Sequence, residues 1–176
     1  MPLPISELQK LHIDDPLIEI IAIDATNKGG EFFYITGNPP PAGQTAIMFK
    51  GKTVISLPMQ TDGWEENVDG LLPTPTLTVS NINKDLFDIV QSTGDLVGAK
   101  VLRYLIFAKN LDNGSQPDST KASEPATFVI ERKTHHSDTH ISWRCILPFE
   151  LPNLTIPRRR ILRSRGFPGA GKGQRL

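Results

Sequence analysis

The chain has 176 residues, 19 basic and 19 acidic side chains and a net charge of +0, so nothing in its overall charge points to nucleic acid or a membrane surface. Its length suits one domain with an extension, and its single cysteine excludes an internal disulfide or a four-thiolate metal site. No window approaches the ~18 apolar residues of a membrane span, and MPLPISELQK lacks the charged and apolar regions of a secretory signal, which points to a chain made in the cytoplasm.

Residues 1–15 read as an N-terminal arm, with one or two helical turns from Ile5 to His12, Ser6 as cap and Leu8 and Leu11 as a thin apolar edge. Pro16 to Ala25 is a continuous apolar run, which predicts a strand buried on both sides. After a turn at Asn27 to Gly30 comes a second strand, Phe32 to Ile35, and then Asn38 to Gly43, whose three prolines require a surface loop. Ala46 to Phe49 and Thr53 to Leu57 flank Lys50-Gly51-Lys52 and predict a hairpin with a positive φ at the glycine. Asp62 to Leu72 is turn-like, with Trp64 expected to pack under a loop.

The stretch from Pro73 to Asn113 carries the most consistent local signals. Leu77 and Val79 alternate with Thr76, Thr78 and Ser80 as in a strand with one buried face. A helix of about three turns follows, over about 83–93, with Asn83 as cap, Ile82 and Phe87 as a hydrophobic staple, and Gly94 as a left-handed C-cap. Ala99 to Ala108 places Val101, Leu105 and Phe107 on one face and Leu102, Tyr104 and Ile106 on the other, the pattern of a central strand. Leu86, Ile89, Val90, Val101, Leu105 and Phe107 are expected to form one buried cluster.

Asn113 to Pro125 contains no apolar side chain larger than alanine, so it is expected to be mobile or ordered by a neighbouring chain. Ala126 to Arg132 and Thr139 to Leu147 predict a hairpin joined across Lys133 to Asp138. Prolines 148, 152 and 157 punctuate the chain beyond this hairpin, and residues 163–176 read as an extended tail with too little apolar surface to fold alone. The fold class is therefore mainly β with one principal helix.

Three features invite a chemical reading. His135, His136, Asp138 and His140 carry zinc-ligand chemistry, but they crowd one turn, where adjacent side chains point apart, so no metal is expected. Gly169 to Gly173 lacks the Ser/Thr, the preceding strand and the following helix of a phosphate loop. Cys145 lies in the alternating run Ile141, Trp143, Cys145, Leu147 and reads as a core residue rather than a nucleophile. No serine, histidine and acid are singled out by spacing, and no catalytic site is assigned.

Arg158, Arg159, Arg160, Arg163 and Arg165 form the one local charge anomaly. A solvated edge would explain them, yet guanidinium also binds carboxylate or phosphate bidentately, so they are assigned to a partner interface.

Taken together, TPTLTVSN, DLVGAKVLRYLIFAKNLD, FVIER and IPRRRIL resemble the minor tail protein L family of lambda-like siphophages, from roughly Pro16 to Leu162. The resemblance implies a non-enzymatic tail-tip or baseplate hub protein, assembled in the host cytoplasm into the virion tail. It further implies a barrel or sandwich like those of tail tubes and hubs over residues 16–162, a homotrimeric ring, and partners in the distal tail ring and the host-specificity hub. Nucleic acid would enter only if DNA passes through the lumen. Lambda-like members continue into a domain whose cysteines hold an iron–sulfur cluster, the first a few residues after the PRR motif. Here that region reads ILRSRGFPGAGKGQRL, without a thiolate, so no cofactor is carried over. The alternative is a nucleic-acid-binding β-barrel using the arginine cluster; it would need stacking aromatics on an open face.

Overall fold

A computed structural model of the chain describes residues 15–41, 43–65, 72–80 and 87–150. The N-terminal arm before Asp15, the first part of the expected helix with its staple, and everything after Glu150 lie outside the described residues. Among the described residues, nine strands form one open, mixed sheet: β1 (Leu17–Asp24), β2 (Phe32–Thr36), β3 (Ile47–Phe49), β4 (Lys52–Ser56), β5 (Met59–Asp62), β6 (Thr76–Ser80), β7 (Lys100–Phe107), β8 (Ala126–His136) and β9 (His140–Ile146). Their spatial order is β3-β4-β2-β1-β7-β8-β9-β6-β5, with every pair antiparallel except β2 and β4.

The run of β-branched residues in β1 explains its central place, because such side chains fit a pleated surface covered on both faces. Ile21 and Ile23 enter one core cluster, while Ile18, Ile20 and Ala22 enter a second. β7 beside it divides in the same way, Val101 going to the first cluster and Leu102, Tyr104 and Ile106 to the second. Each isoleucine buried this way contributes about 1.5–3 kcal/mol.

The first cluster joins residues that are far apart in strand order: Ile21 and Ile35 from one half of the sheet, Leu77, Val79, Trp143 and Cys145 from the other. The sheet therefore curls around this core. Leu57 and Pro58 link β4 to β5 across the open side, with Leu57 N–H donating to Thr36 O at 3.0 Å and Ser80 N–H to Pro58 O at 2.8 Å. The Thr61 hydroxyl on β5 reaches the Glu19 carboxylate on β1 at 3.1 Å.

The second cluster lies on the other face. Ile47, Phe49 and Val54 of the β3–β4 hairpin cover it together with Ala108, Leu111 and Ala122. Phe32, Tyr34, Phe49 and Tyr104 meet edge to face in succession, with centroids 5.1, 5.4 and 5.3 Å apart. The hairpin turn has positive φ at Lys50 (50°) as well as at the expected Gly51 (73°), which matches the twist of the flanking strands.

The described helix, α1, spans Phe87–Ser92. It ends as expected: Gly94 has φ 65°, and the Asp95 N–H returns to Val90 O at 2.8 Å. Asp95 and Leu96 then stay left-handed at 63° and 60°, a departure that periodicity could not show. Such residues cost about 1–2 kcal/mol each. The turn is held by the buried Leu96 side chain, by Gly98 N–H donating to Ile130 O at 2.8 Å, and by side chains from β8 and β9.

Four sequence expectations need correction. β5 lies in a stretch that the residues do not mark as a strand, because MQTD lacks an apolar alternation. β8 runs on to His136, since its polar end pairs with β9 through two register shifts. Leu105 is only half-buried, and Phe107, 4 % exposed, packs outside both clusters. The Asn113–Pro125 loop is ordered by its own chain: the Asn113 amide donates to Gln44 Oε1 at 2.7 Å and Ala46 O at 2.8 Å, its Oδ1 accepts from Met48 N–H at 3.2 Å, and Ser123 pairs with the backbone of Leu105. Weighing only its apolar area misses these polar anchors.

Candidate functional site: the polar end of the curled sheet

Where the first core cluster reaches one end of the sheet, its lining turns polar. Glu19 continues the face of Ile21, Arg103 that of Val101, and Thr61 sits opposite Leu77. All three therefore point to the same side as the core, by the period of two. Arg103 Nε donates to Glu19 Oε1 at 2.5 Å, with both side chains largely covered. The Arg103 guanidinium lies 5.2 Å from the ring centroid of Trp64, which meets Phe128 edge to face at 5.2 Å.

Trp64, expected to pack under a loop, instead packs on the end of the core and walls an open cleft of about 410 Å³ with Thr61, Asp62, Gly63, Glu65 and Arg103. The indole N–H of Trp64 is buried and has no acceptor among the described residues. Asp62 and Glu65 are exposed and have no ion-pair partner among the described residues. Sequence reasoning missed this group because its members are scattered from Glu19 to Arg103. The alternation of β1 and β7 places the two charged residues on apolar faces, and that was the available signal.

The histidines lie at the far tip of the β8–β9 hairpin. His135 and His140 stack with centroids 4.6 Å apart and planes at 17°, while His136 Nδ1 is 3.1 Å from Lys133 Nζ. Stacked rings present faces to one another and do not aim two nitrogens at one ion. Among the described residues no three metal-ligating side chains converge. The arginines 158, 159, 160, 163 and 165 lie outside the described residues.

The sequence pieces that carried the resemblance fall on structural positions. LTVS is β6 against β9, and Leu96 to Val101, LVGAKV, is the left-handed turn leading into β7. A family model described as phage minor tail protein L matches residues 26–167. The chain belongs to this family. Tail tip protein L of Escherichia phage lambda is 30 % identical over 110 residues, which cover 62 % of this chain and 47 % of that protein. The chain thus spans about half the length of the curated relative it matches.

Membership in the phage minor tail protein L family makes the chain a structural protein of the virion tail. The iron–sulfur cluster implied for lambda-like members needs several thiolates. The one cysteine of these 176 residues, Cys145, is fully buried in the first cluster, and burial pushes its thiol up to about 12. That is the opposite of a metal-binding thiolate. The residues present do not fit such a cluster.

Proposed function

We propose that the chain is a structural component of the phage tail tip that joins the distal tail tube to the host-facing hub during tail assembly. The observation that carries this reading is the match to the minor tail protein L family over residues 26–167. In the same reading, residues 16–162 are a hub domain of barrel type, three copies form a ring, and the partners are the distal tail ring and the host-specificity hub. The curl of the sheet and the side-chain bond from Thr61 to Glu19 support a barrel-like body. The chain acts by assembly and not by catalysis. DNA would meet it only within the lumen of the ring, and the arginines from Arg158 to Arg165 are its docking segment for carboxylate-rich surfaces of neighbouring tail proteins once the ring assembles, released from any contact with their own chain in the free monomer.

The nucleic-acid reading is weaker. Phe32, Tyr34, Phe49 and Tyr104 are engaged with one another on the covered face, so they offer no stacking platform.

Native mass measurement tests the proposal. The expected outcome is a monomer alone and a three-copy ring when the distal tail and hub proteins of the same phage are added. Failure to form any complex with either neighbour contradicts it.

A further inference from the structure

The net charge of zero hides a division of the chain. All 19 acidic residues and 12 of the basic ones lie in residues 1–150, and the remaining seven basic residues, with no acid, lie in 151–176. The first part is therefore strongly acidic and the last part strongly basic. We propose that the arginine segment 158–165 docks on its own chain, in the cleft formed by Asp62, Trp64 and Glu65.

Three observations converge on that cleft. Among the described residues its rim carries two carboxylates without an ion-pair partner, and the one cation lining it, Arg103, is already paired with Glu19. Guanidinium groups of the segment supply the matching charge and geometry. The buried Trp64 N–H lacks an acceptor among the described residues, and a backbone carbonyl of a docked peptide supplies one.

The topology brings the C-terminal end of β9, from which the chain runs on to the segment, to the cleft's end of the sheet. Asp62 pairs with Thr76, Thr76 pairs with Arg144, and Cys145 N–H bonds Pro75 O at 2.7 Å, so β9 runs toward the cleft before the chain continues past Leu147. β9 and β5 are two strands apart, about 10 Å. Pro148–Glu150 form a 3-10 turn, and the chain from Glu150 to Arg158 can span up to about 26 Å when extended. This inference does not depend on the tail-tip role.

The test uses the full chain with Ser164→Cys carrying a nitroxide; Cys145, 0 % exposed, stays unlabelled. With two tryptophans, the chain gives two indole N–H signals. At about 0.05 M salt the Trp64 signal should lose more than about half its intensity, and recover at about 0.5 M, where the screening length is about 4 Å. D62N/E65Q should also restore it, with the Trp143 shift unchanged as the check on folding. A mixture of spin-labelled unenriched chain and unlabelled ¹⁵N-enriched chain should show no broadening. No loss at low salt, a loss that survives D62N/E65Q, or a loss appearing in the mixture would each overturn docking on the same chain.

Discussion

The indole N–H of Trp143 donates to the backbone carbonyl of Asp95 at 2.9 Å, tying the middle of β9 to a left-handed turn 48 residues earlier. Lys133 Nζ holds the Asp95 carboxylate at 2.5 Å from β8. Two neighbouring strands thus clamp the connection between α1 and β7. Trp143→Phe keeps most of the ring but leaves that carbonyl without its donor. It should cost about 1–3 kcal/mol in denaturant unfolding, and a wild-type midpoint would show that the clamp contributes nothing.

The Asn113 amide is the main anchor of the 113–125 loop onto the β3–β4 hairpin. Asn113→Ala removes three hydrogen bonds at once. We expect about 2 kcal/mol of lost stability and faster amide exchange confined to residues 44–52 and 113–125. Unchanged exchange there would contradict the assignment of this loop to its own chain.

Much of this architecture is legible in the residues, and the rest is hidden for identifiable reasons. The two-sided burial of β1 and β7, the Lys50-Gly51 turn and the Gly94 cap follow from local pattern, because each depends on side chains a few positions apart. The strand order does not: β8 and β9 insert between β7 and β6, which are neighbours in sequence signals but not in the sheet. Asp95 and Leu96 carry no mark of positive φ, since their strain is offset by Trp143 and Lys133 from distant strands. The polar end of the core was invisible as a group. Only the presence of Glu19 and Arg103 on otherwise apolar faces announced it.

Glu19 and Arg103 form a mostly covered ion pair bridged to β5 by Thr61. In a double-mutant cycle of Glu19→Gln and Arg103→Gln, the coupling energy should be about 1–3 kcal/mol. Additive effects would mean that the pair is solvent-screened and does not tie β1 to β7.

Burial of Cys145 makes a prediction about alkaline stability. The folded chain keeps the thiol proton up to about 12, whereas an ordinary thiol loses it near 9.0. The folded pKa is raised, so the stabilisation is complete below pH 9 and is lost as pH rises from 9 to 12, at about 1.4 kcal/mol per pH unit. Cys145→Ala should lose stability more slowly across that window than wild type. Parallel slopes for the two proteins would contradict the buried-thiol account.

The central claim is that the chain is a structural part of the tail's distal end. Gold-labelled antibodies raised against residues 16–150 and applied to mildly disrupted virions test it most directly in the electron microscope. The account predicts label concentrated at the tail tip, opposite the head. Label spread along the tube, or absent from virions that carry intact tails, would contradict it.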